Sequence, residues 1–214
     1  MNETRAFGAA MIAGAVAFVV TMGLHPSGGS LERIRDIASV VIGTHSLAIA
    51  SLVCITIGFL GLTARLGASR FLAWSAMVTF AAGALAAICA AVLNGLALPA
   101  LARHHEGSDP ATLDTLRVVL GYNHALNASF ARVFMIATTV ATVLWSVAIL
   151  RTRALPAWVG VVGALAGATA TALVLFGAIG VDVHDFGLFI FAFAGWSIVV
   201  GAQLLRKVAP GAAV

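Results

Sequence analysis

The chain has 214 residues, 61% of them apolar and only 9% charged, with a mean hydropathy of +1.06 and a formal charge of +4. A soluble domain carries about a quarter charged residues, so a water-solvated globule, a disordered chain and a nucleic-acid binder are all poor descriptions. The composition is that of a protein whose solvent is a lipid bilayer, at roughly 20 apolar residues per span.

Six apolar runs, approximately 6–24, 40–62, 71–98, 126–150, 157–180 and 186–205, predict an all-α bundle of six transmembrane helices arranged as three helical hairpins. The first run, Ala6 to Leu24, is nineteen residues, and no small-x-small cleavage site precedes His25-Pro26, so it is read as a span and not as a signal peptide. The segment 26–39, PSGGSLERIRDIAS, offers Ser30 as the N-cap of a helix running on into the second span. The segment 102–117, ARHHEGSDPATLDTLR, places Asp109 before Pro110, a start signal for the fourth helix. From His124 to Arg151 is 27 residues, about 40 Å of helix, so helices three and four are expected to protrude as a hairpin. The opposite turns, 63–70 and 151–156, are short, and Pro156 suits the first turn of the next helix. Small-residue strings such as GALAGATATA at 163–172 predict close backbone approach between helices. No linker or compositional break divides the chain, so residues 1–214 are read as one integral membrane domain.

Charge sets the orientation. One side collects Arg5, Arg65, Arg70, Arg151, Arg153, Arg206 and Lys207 against Glu3 alone. The other holds Arg33, Arg35, Arg103 and Arg117 against Glu32, Asp36, Glu106, Asp109, Asp114, Asp182 and Asp185. Basic residues are retained in the cytoplasm during insertion, so both termini are expected there, with the acidic side external or periplasmic. Cys54 and Cys89 fall inside apolar runs and read as small fillers; no CxxC motif exists.

A repeat organises the polar residues. VVIGTHSLAIASL at 40–52 resembles VVLGYNHALNASF at 118–130, with one extra residue before the histidine, and RFLAW at 70–74 resembles RALPAW at 153–158. The last helix begins VDVHDFG. Each returning helix therefore carries a histidine near its acidic end: His45, His124 and His184. His25, His104 and His105 fall on the same side. Imidazole is the commonest side-chain ligand for transition metals, so His45, His124 and His184, approaching from three hairpins, predict a zinc or copper site with His25 as fourth ligand. Met22, three residues before His25 on the same helical face, would favour cuprous copper. Asp182 and Asp185 flank His184 as ligands or as acceptors fixing its tautomer, although Asp182 and Asp109 equally read as N-caps. His45 with His124 is alternatively an axial pair for haem b.

Asn94, Asn123 and Asn127 are expected to hydrogen-bond between helices and line the same outer cavity. Arg132, 19 residues from Arg151, belongs near the outer interface, snorkelling or anchoring an anionic ligand.

The stretch LWSVAILRTRALPAWVGVVGALAG at 144–167, a short basic turn leading through Leu-Pro and Trp into a Gly-rich helix, resembles a group of uncharacterised bacterial six-span inner-membrane proteins, as does HPSGG after the first span. The resemblance implies a bacterial inner-membrane location and no activity. The leading functional expectation is binding of a transition metal or haem at the outer leaflet, for metal handling or redox chemistry. The competing expectations are an accessory subunit that packs as an oligomer or in a membrane complex, a small transporter with incidental histidines, and a hydrolase using the histidines, an Asp and Ser46. No HExxH or GxSxG string supports the last, and few polar side chains in the inner halves of the spans leave a transporter without a through-path.

Overall fold

A computed structural model describes residues 3–26 and 30–206; Ser27, Gly28, Gly29 and Lys207 lie outside the described residues. Among the described residues the regular secondary structure is helical, with no strand: α1 (Glu3–Leu24), α2 (Leu31–Asp36), α3 (Ala38–Arg65), α4 (Arg70–Val92), a π-helical turn (Leu93–Ala97), α5 (Leu98–His104), α6 (Pro110–Thr152), α7 (Ala157–Leu175) and α8 (Val183–Leu205). Counting Gly67–His104 as one continuous run, six helices among the described residues are long and apolar enough to cross a membrane, which fits a multi-pass membrane protein.

Local chemistry explains the boundaries. The Asp109 carboxylate accepts from the Ala111 and Thr112 amides at 2.9 and 3.1 Å, with Pro110 in the first turn of α6. Asp182 caps α8 in the same way, accepting from the His184 and Asp185 amides. α7 ends earlier than its apolar run suggests. Gly177, at φ +71°, closes a Schellman turn in which the Ala178 amide donates to the Leu173 carbonyl at 2.8 Å and the Gly177 amide to Val174 at 3.2 Å. The helix capped by Ser30 does not run on into the second span: it stops at Asp36, and Ile37 leaves helical geometry before α3 begins. Instead α2 lies against α5, with Ile34 buried and Arg35 3.2 Å from Glu106.

α1 packs along α3, and α4 along α6, as two antiparallel pairs. Missing side chains set both the first contact and the closure of the bundle. A Cβ on Gly14 would strike the Ser51 carbonyl and Ile55, one on Gly58 would strike Met11, and Gly8 meets the Gly201 carbonyl of α8. Gly160, Gly163 and Gly167 form a stripe that seats α7 on α6. The third expected hairpin is open: α7 leans on α6 and α8 on α1, and the two touch each other sparsely. The interior is a column of rings, with Phe59 stacked on Trp145 at 4.2 Å and Phe80, Phe193 and Trp196 around them. The Trp145 indole donates to Thr63 Oγ1 at 3.1 Å, and Arg65 Nε to the Ala154 carbonyl at 3.2 Å, tying α3 to α6 and to the turn before α7 at the basic end.

Candidate functional site

At the opposite, acidic end the helices separate around a cavity of about 140 Å³ bounded by α1, α3, α4, α6, α8 and the start of the α8 connection. Its floor is apolar, formed by Phe18, Leu52, Phe134 and Phe186, and its polar lining is His25, His45, Asn94, Asn127 and Thr21, with Met22 beside them. Among the described residues no acidic side chain lines it.

His25 and His45 meet here. Their ring centroids are 5.2 Å apart with planes tilted by 58°. His45 sits in the second turn of α3, 8% exposed, and its Nδ1 lies 2.8 Å from the Val41 carbonyl one turn earlier. A carbonyl only accepts, so Nδ1 carries the proton and Nε2 is left with its lone pair free. His25 closes α1, held by its own amide donating to the Met22 carbonyl at 3.3 Å. Its Nδ1 is buried without a hydrogen-bond partner. Burial, and secondly the neighbouring His45, push its pKa below the ordinary histidine value. The neutral imidazole that results is the form that coordinates a metal.

The contact between the histidines and the third span depends on Gly95. A Cβ on Gly95 would overlap the Cβ and Cγ of His45, so only a glycine permits this approach. Gly95 lies in the π-helical turn, where the Leu98 amide donates to the Leu93 carbonyl five residues back, and Pro99 has no amide to return to the Gly95 carbonyl. The same turn directs Asn94 to the cavity, where its Oδ1 accepts from Asn123 Nδ2 of α6 at 2.9 Å. The expected bridge is thus present between Asn94 and Asn123, and Asn94 and Asn127 line the cavity, whereas Asn123 is not part of its lining. Gly95 was not among the residues singled out by sequence; its signal is an Asn-Gly pair followed by proline inside an apolar run.

The expected convergence of three hairpins on one pocket is not what the fold makes. His124 and His184 are exposed and line no part of the cavity, and among the described residues no group of three or more His, Cys, Asp or Glu side chains is placed to hold a metal ion. The reason is helical phase. α6 is continuous α-helix through the repeat, so the extra residue before His124 turns that side chain by about 100° and is not absorbed. In the ungapped register His45 corresponds to Asn123, the partner of Asn94, and His124 corresponds to the exposed Ser46. Asp182 and Asp185 are engaged at the start of α8. Asp182 caps it, which holds that carboxyl below its usual range chiefly through the Asp185 amide, and Asp185 Oδ2 accepts from the Gly180 amide at 2.7 Å. His104 and His105 contact each other edge to face at 4.9 Å at the end of α5, and Arg132 is exposed on α6.

Fold and site together describe a multi-pass membrane protein with a sheltered, acid-free histidine pair at one end of the bundle. Comparison of the chain with family models, with curated proteins and with solved structures returns no match.

Proposed function

We propose that this chain binds a transition metal ion between His25 and His45 and serves metal handling at the outer leaflet of a bacterial inner membrane. The observation that carries the reading is the contact of two imidazoles 5.2 Å apart, one held with Nε2 unprotonated by Val41 and the other with a buried, unpartnered nitrogen. Two neutral nitrogen ligands in a cavity lined largely by apolar side chains are a beginning of a coordination sphere, and the Val41 carbonyl is the outer partner that orients one of them. By the positive-inside rule Arg5, Arg65, Arg70, Arg151, Arg153 and Arg206 orient the basic end to the cytoplasm, so the histidine cavity opens to the periplasmic side.

The geometry favours an ion over haem b. His124, the expected partner of His45 across a haem, is outside the cavity, and about 140 Å³ is close to the space that accommodates a benzene ring. Ser46, the hydroxyl a hydrolase would need, is exposed and outside the lining as well. The test is metal content of the purified full chain after dialysis against single metal salts. One ion per chain is expected, reduced to background in His25→Ala and in His45→Ala and unchanged in His124→Ala and His184→Ala. Undiminished binding by the folded His25→Ala/His45→Ala double variant would overturn the assignment.

A further inference from the structure

Resting on that reading, the geometry points to cuprous copper as the ion, held by His25, His45 and the thioether of Met22. Three observations converge. The first is charge. Among the described residues no carboxylate or thiolate lines the cavity, so an ion entering it keeps its full charge. The cost of moving an ion out of water grows with the square of its charge, so a divalent ion meets a penalty about four times that of a monovalent one before any ligand is counted. Sites that hold zinc usually offset this with thiolates, a carboxylate or a third imidazole, none of which is present.

The second is coordination number. Zinc takes four ligands and magnesium or calcium six or more oxygens, whereas the described residues bring no three His, Cys, Asp or Glu side chains together. Two nitrogens and one further donor suit an ion content with two or three ligands. The third is the identity of that donor. Met22 precedes His25 by three residues in the last turn of α1, lines the same cavity, and has its methyl end next to Gly187 of α8, where the absent side chain leaves room. A thioether is a soft donor that selects Cu(I) and adds no charge.

The experiment uses the purified full chain in detergent under anaerobic conditions, with Cu(I) partitioned against a chromogenic Cu(I) chelator and with Ag(I) and Zn(II) in parallel equilibrium dialysis. Expected are one Cu(I) or one Ag(I) per chain, no stoichiometric Zn(II), and a copper–sulfur contribution in the X-ray absorption spectrum. Met22→Leu, a near-isosteric exchange that leaves the fold intact, should lower Cu(I) affinity about tenfold or more and remove the sulfur contribution. Cys54→Ala/Cys89→Ala should leave both unchanged, which separates the site from the two free thiols. One Zn(II) and no Cu(I) per chain would overturn the cuprous assignment and leave the histidine pair standing as a metal site. Cu(I) affinity unchanged in Met22→Leu, or lost in Cys54→Ala/Cys89→Ala, would overturn the thioether site. No ion of any kind bound to the native chain would overturn both proposals.

Discussion

His45 and Gly95 behave as one unit, because the helix carrying one has no side chain where the other needs space. Gly95→Ala gains about 1 kcal/mol in helix propensity but drives a methyl into the His45 ring, an overpacking that costs about 1–3 kcal/mol. Net destabilisation and weaker metal binding are expected. In a His45→Gly background, where the overlapping Cβ is absent as well as the ring, the obstruction is gone, and the same glycine replacement at 95 becomes neutral or stabilising. Unfolding curves of the two single variants and the double variant measure this, and simple additivity would contradict the contact. His25 adds a pH dependence. Its pKa in the folded chain is lowered, first by burial and then by His45, and among the described residues the only titratable side chains in the cavity lining are these two histidines. The unfolded chain therefore takes up the proton first as pH falls through about 6.5, and the folded chain follows only at lower pH. This contribution to stability is flat above about pH 6.5 and declines below it, and replacing His25 with Leu should remove that share of the slope in melting temperature.

The element that most exceeds its membrane role is α6. Its 43 residues extend about 64 Å, against about 30 Å of hydrocarbon, so its first turns are expected to stand clear of the bilayer. Exposure of an apolar side chain then has two meanings. Tyr122 of α6, 67% exposed, is expected to meet water, and Leu165 in the middle of α7, 66% exposed, to meet lipid. In a Cys54→Ala/Cys89→Ala background a membrane-impermeant maleimide should label Tyr122→Cys and leave Leu165→Cys untouched; equal labelling of both would place α6 wrongly against the bilayer. The helix ends follow from short-range chemistry in Ser30, Asp109, Asp182 and Gly177. The break at Ile37 does not, since what draws α2 away from the line of α3 is a contact with α5 that lies far along the chain.

Away from the histidine cavity the interior is a column of packed rings, Phe59, Phe80, Trp145 and Phe193. This matches an ion held at one surface better than one carried across. Trp145 is the keystone, fully buried, stacked on Phe59 and bonded to Thr63. Trp145→Ala should destabilise the fold by about 3–5 kcal/mol, read by thermal or detergent unfolding, while the fraction that remains folded still binds one ion per chain. A loss of metal stoichiometry without loss of stability would show instead that the column communicates with the site.

Hydropathy, charge asymmetry and capping residues are local properties, and from them the six spans, the basic and acidic ends, and the N-caps at Ser30, Asp109 and Asp182 were legible in the residues themselves. Which histidines share a pocket was not. Side chains one residue apart on a helix point about 100° apart, and the repeat tolerated a one-residue insertion on paper that the continuous helix of α6 does not absorb. Tertiary packing therefore decided that His45 meets His25 and not His124, and it did so through a glycine and a π-helical turn on a third helix whose relevance exists only once the helices are side by side.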